Sequence, residues 1–229
     1  MKPTAFKLAT VLGIFLLIVS IVLLIVNPKA QGNLPKGFFT PVIAFEFIQT
    51  NAEVSQFFKV SNVALYETSM QTGNYVDYGF MVLYTIFLLA VAIGIQKISG
   101  VNAMWLAIFL CFTALLGDAL ENIQIHQLIN QHKSADLQEP LYLLNIFTWL
   151  KWGAIASVFL LFSPYFLKGK VWSKIIGLCC LMCFGLCCAA FFQHGIINEI
   201  FTSSVVLVFL LLVIYVSTYK TGTPNPLTL

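Results

Sequence analysis

Arginine is absent from the 229 residues; all twelve basic side chains are Lys, scattered singly, and the formal net charge is +3. Without a guanidinium the chain lacks the two-pronged donor normally used to clamp phosphate or carboxylate. Without a basic run it has no footprint for nucleic acid. Charge of either sign is scarce, 9% of residues against about 25% in ordinary globular chains. With 59% of residues hydrophobic, a water-soluble fold of this length is excluded. The expected class is an all-α, polytopic helix bundle embedded in a lipid bilayer. Loop cysteine is missing too: Cys111, Cys179, Cys180, Cys183, Cys187 and Cys188 all lie in apolar runs. No disulfide framework is implied, and the C-x-x-C at Cys180 and Cys183 reads as small residues that let helices approach closely. The chain has no G-x-S-x-G, HExxH or P-loop and no His pair at ligand spacing. No cofactor is expected, and zinc is disfavoured.

What is present is a set of long apolar runs. They predict six spans, about 8–26, 78–95, 103–125, 141–167, 172–193 and 197–219, in a single transmembrane domain covering 1–229. The first run is longer than the apolar part of a signal peptide and lacks a small-x-small cleavage pattern after it, so it reads as a helix that stays. Between the first two spans, 27–77 reads as a helical connection. Thr40-Pro41 signals a helix start. The apolar stretch 41–48 is too short to span, so it is interfacial, re-entrant or packed on the bundle. Thr50 and Glu53 have capping-box spacing and open a second short helix, whose Val54, Phe57 and Phe58 are expected on the membrane surface. A third short helix is expected over 61–70, then loop over 71–75. The tail 220–229, with Pro224 and Pro226, is expected to be disordered.

Lys2, Lys7, Lys97, Lys168, Lys170, Lys174 and Lys220 fall on one side of a six-span arrangement. Lys29, Lys36, Lys59 and Lys133 fall on the other, over longer connections with most of the acids. The positive-inside rule then puts both termini in the cytoplasm and the connection 27–77 outside.

The exception to apolarity is 117–126, GDALENIQIH. Charged groups in hydrocarbon cost about 2.5–3.5 kcal/mol each on insertion scales, so they are rare unless compensated. At 100° per residue, Asp118, Glu121 and Asn122 share one helix face. Counting a rise of about 1.5 Å per residue from the span ends puts Tyr84, Asp118 and Lys151 at one depth, roughly 9 Å below the outer boundary. Glu121, Asn122 and Asp77 are expected just above, nearer to water, with Glu46 supplied by the short helix. Asp77 and Tyr84, seven apart, share a face. Two plainer readings stand beside this one: Lys151 snorkels to the interface between Trp149 and Trp152, or Asp118 and Lys151 form an ion pair that only fixes helix register. His126 is expected to be wet and interfacial, His132 a loop residue. His194, Asn198 and Glu199 read as a turn feature.

Phe45-Glu46-Phe47 with Thr50 and Glu53, Asp77-Tyr78-Gly79-Phe80 with Tyr84, Gly117-Asp118-Ala119-Leu120-Glu121-Asn122, and Lys151-Trp152 together resemble the signature of an uncharacterised family of multi-pass bacterial membrane proteins. The resemblance covers about 41–154, and DxxEN is its most specific element. It implies a bacterial cytoplasmic membrane protein with this cluster as the shared polar feature, and it carries no activity.

Three functions compete. The first is binding or transport of a proton, cation or small polar solute at Asp118, Glu121, Asn122, Lys151, Tyr84, Asp77 and Glu46. Six spans leave little material for alternating access, which favours a homo-oligomer. The second is a structural or assembly subunit held by its ion pairs. The third is a membrane enzyme on a lipid-borne or periplasmic substrate, with Asp118 or Glu121 as general base and Tyr84 or Lys151 as acid or electrostatic stabiliser.

Overall fold

The computed structural model describes residues 3–134 and 136–219. Lys2 and the tail 220–229, including Lys220, lie outside the described residues. Every regular element among the described residues is a helix: α1 (Thr4–Val26), α2 (Pro41–Glu46), α3 (Asn51–Phe57), α4 (Val63–Ser99), α5 (Ala103–Gln131), α6 (Gln138–Leu167), α7 (Val171–Phe192) and α8 (Ile196–Thr218). Six of them, all but α2 and α3, are long and apolar enough to cross a membrane. Their outward faces carry large exposed side chains such as Phe15, Phe109, Phe112 and Met182, as expected where hydrocarbon is the solvent.

The sequence-based division of α4 is overturned. The stretches expected as a short helix over 61–70 and a loop over 71–75 are one continuous helix with the second span, 37 residues long. Such a helix runs about 55 Å, well beyond a hydrocarbon core of about 30 Å. The segment read as loop is held helical by packing: a Cβ on Gly73 would collide with the Asn27 side chain, and the Asn74 amide donates to the Asn122 carbonyl, 2.9 Å. The other spans shift at their ends only, except that α5 continues to Gln131.

Two apolar cores result. The larger runs through the bundle, with Phe6, Phe87, Phe159, Phe162 and Phe166 fully buried. Cys180, Cys183 and Cys187 are buried in it, and all six Cys are free. The smaller core packs α2 and α3 onto the projecting ends of α4, α5 and α6. Val54, Phe57 and Phe58, expected on the membrane surface, are buried there, because the overhang of α4 and α5 gives them protein to pack on: Phe57 and Phe58 lie 5.3 Å and 6.4 Å from the Tyr66 ring. The stretch 41–48 is accordingly packed on the bundle. Trp149 and Trp152 touch both cores.

Two glycines allow this cap to seat. Gly37 (φ 88°) and Gly195 (φ 105°) occupy left-handed backbone where their loops cross, and a Cβ on Gly37 would sit 2.9 Å from the Ile196 nitrogen. Thr40 does not cap α2 with its own side chain. The Glu199 carboxylate of α8 accepts the Phe39 and Thr40 amides instead, at 2.9 and 2.7 Å. Thr50 and Glu53 do form the expected capping box on α3.

Candidate functional site

The polar network lies at the junction of the two cores. Gly117 is what brings α5 and α6 together there: a Cβ at this position would stand 2.7 Å from the Lys151 backbone nitrogen. One residue on, Asp118 points at the same turn of α6. Lys151 is buried, so the snorkelling alternative is excluded. Its Nζ pairs with Glu46 Oε2 at 3.2 Å, with Asp118 Oδ1 at 3.6 Å and with Glu121 Oε2 as its closest partner. The Trp152 ring lies 4.7 Å from the ammonium.

Each acid is also held by a neutral donor. Tyr84 donates its hydroxyl to Asp118 Oδ2 at 2.7 Å. Thr148 reaches Glu121 Oε1 at 2.5 Å and the Glu46 carbonyl at 3.0 Å. The Trp152 N–H donates to Glu46 Oε2 at 2.9 Å, and the Asn122 amide to Asp77 Oδ2 at 2.8 Å. Asp118 Oδ1, buried, has no hydrogen bond. Tyr84, Asp118 and Lys151 thus form the layer expected from depth; Glu46 and Glu121 join them through Lys151, while Asp77 and Asn122 form a separate pair on the same cavity.

Two details differ from expectation. Glu121, placed nearer to water by counting, is completely buried, and Asn122 is 2% exposed. The count is sound, but α2 folds over that end of the bundle and takes the place of water. The three residues sequence reasoning passed over are Thr148, Asn74 and Trp152 in its role as donor. Thr148 precedes Lys151 by three and Asn74 precedes Asp77 by three, so helical spacing carried the signal. His126 meets the Tyr75 hydroxyl at 2.8 Å, His132 pairs with Glu67 at 3.3 Å, and His194 with Glu53 at 3.6 Å. None of these three touches the network.

A cavity of about 330 Å³ opens onto the cluster. Glu46, Asp77, Tyr84, Asp118, Asn122 and Lys151 form its polar floor, and α1, α2 and α8 supply mostly apolar walls. Three carboxyl groups therefore meet one ammonium, Asp77 adds a fourth acid to the same cavity, and every other described Lys is exposed. Burial pushes the Glu46 carboxyl above its ordinary 4.5, with Lys151 and the Trp152 N–H pulling against that shift. Among the described residues, no group of three or more His, Cys, Asp or Glu is arranged to hold a metal ion.

Fold and site together define a multi-pass helical membrane protein with a buried carboxyl–lysine network. Compared with protein-family models, with curated proteins and with solved structures, the chain matches none.

Proposed function

We propose that this chain is a protein of the bacterial cytoplasmic membrane, both termini cytoplasmic, that binds and exchanges a proton or cation through its outward-facing intramembrane cluster. The observation that carries the reading is the surplus of acids on a cavity: Glu46, Asp118 and Glu121 share one Lys, Asp77 has only the Asn122 amide, and three of these four carboxyls line open space. A cluster serving folding alone gains nothing from uncompensated carboxyls, because each unpaired buried charge costs several kcal/mol. Protons or a mobile cation supply the missing positive charge and can leave again through the cavity. Lys placement supports the orientation, and the resemblance over 41–154 supports the bacterial assignment.

Leu24 of α1 and Val206 of α8, which line the cavity and are both exposed, favour one further reading, an enzyme acting on a lipid-borne substrate with Asp118 as base. Its acid partner would be Tyr84, already hydrogen-bonded to Asp118.

The test is charge displacement on supported proteoliposomes. A step in pH or in Na⁺ concentration is expected to give a transient current that protein-free liposomes lack, strongly reduced in Asp118→Asn. A parent protein indistinguishable from empty liposomes would overturn the proposal.

A further inference from the structure

The walls of the cavity say more about its occupant than the floor does. α1 stays on α4 along its whole length, from Phe6 against Gly94 to Asn27 against Gly73. Its contacts with α8 through Phe6, Thr10 and Gly13 lie at the opposite end from the cluster. Phe6 packs on Tyr215 and Tyr219, Thr10 donates to the Val216 carbonyl at 3.2 Å, and a Cβ on Gly13 would meet Val213 at 2.8 Å. Beyond that level both helices line the cavity, with Leu24 77% and Val206 59% exposed on its rim. Apolar side chains of both helices that line the cavity and are also exposed on the outer surface point to a lateral opening between them.

Inside it, Phe80, Tyr84 and Phe209 stand in sequence, ring centroids 5.8 and 6.1 Å apart, and Trp152, beside Lys151, also lines the cavity. Asp118 lines the cavity too; its Oδ1 is buried, 3.6 Å from Lys151 Nζ and without a hydrogen bond. Aromatic faces attract cations, most strongly where water is excluded. A carboxyl surplus repels phosphate and other anions, and a phospholipid headgroup with it. A small inorganic ion would leave most of an apolar chamber of this size empty.

We infer that the cavity binds an amphipathic organic ammonium that comes from the lipid phase between α1 and α8, its cationic head on Asp118 and the aromatic row, its apolar tail along α1 and α8. This rests on the proposed cation reading and names the class of cation. Protons compete for the same carboxyls. The titratable groups facing the head are Glu46 from α2, Asp77 and Tyr84 from α4, Asp118 and Glu121 from α5, and Lys151 from α6; α1 and α8 present none to the cavity.

The experiment is calorimetric titration of the full-length protein in lipid nanodiscs with hexyltrimethylammonium, with hexyl sulfate as the control of equal tail and opposite charge. Saturable one-site binding of the ammonium is expected, with none of the sulfate. Asp118→Asn is expected to weaken it at least tenfold, and Phe209→Leu, which alters no charge, about threefold. Comparable binding of hexyl sulfate, or an affinity unchanged in both variants, overturns the inference. If the ammonium fails to bind while the pH and Na⁺ displacement currents persist, the organic-cation inference falls and the proton or cation reading stands. If both are absent, both fall.

Discussion

Asp118 and Glu121 both pair with Lys151, and the structure assigns them opposite fates on neutralisation. Asp118 Oδ1 is the longer contact at 3.6 Å. At an effective dielectric of about 20, its attraction to the ammonium is about 5 kcal/mol before desolvation. Since Glu46 Oε2 binds the same nitrogen, the two acid oxygens lie no more than about 7 Å apart, the sum of the 3.2 and 3.6 Å contacts, where like charges repel by about 2.4 kcal/mol. Glu121, the closest partner of Lys151, adds a second repulsion of at least that size. The two cancel the attraction, and Asn at position 118 still accepts the Tyr84 hydroxyl. Asp118→Asn is therefore expected within about 1 kcal/mol of the parent. Glu121→Gln removes the tightest partner of a buried ammonium that keeps Glu46 and Asp118, and is expected to cost about 1.5–3 kcal/mol, a fall in Tm of roughly 3–12 °C for a chain of this size. Adding Lys151→Met to Glu121→Gln should lower stability further, because Glu46 and Asp118 then lose their ammonium. Thermal unfolding of the three variants in one detergent decides it. An Asp118→Asn protein that melts below Glu121→Gln refutes the reasoning.

Gly117→Ala should lower stability by about 1–3 kcal/mol, since its methyl meets the α6 backbone; Gly153→Ala, which meets nothing within 4 Å, should be neutral or better, and equal Tm values for the two would contradict the packing argument. Glu199→Ala removes the carboxylate that receives the Phe39 and Thr40 amides and should expose 34–48 to limited proteolysis while the spans stay intact; an unchanged digestion rate counts against the latch. Glu46 is held above its ordinary 4.5 in the fold, so the folded state binds its proton more tightly and stability falls as pH rises from about 4.5 through the raised value. Glu46→Gln cannot ionise, and its Tm relative to the parent should climb over that range. A flat or falling difference would contradict the sign.

The six spans were legible because hydrocarbon thickness imposes a length that apolar runs either reach or miss, and the Tyr84–Asp118–Lys151 layer followed from helical rise alone. The continuity of α4 was hidden because Gly73 and Asn74 disfavour helix locally, and contacts from elsewhere in the chain, with Asn27 just after α1 and Asn122 on α5, make helix the better choice. The burial of Glu121 was hidden for a related reason: it depends on where α2 lands, which is fixed by Glu199, some 150 residues further along the chain. Residue type and spacing located the cluster. Contacts between distant segments decided which of its members are dry.

Chain order adds a constraint of its own on how this protein is made. Glu46, Asp77, Asp118 and Glu121 are all synthesised before Lys151. When the α4–α5 hairpin leaves the ribosome it carries three of the four acids, with Tyr84 and Asn122 as neutral donors for two of them and no buried cation. It must cross into lipid with those carboxyls protonated, or wait beside the insertion machinery until α6 arrives. The lysine is thus the assembly's closing signal as well as its counter-charge.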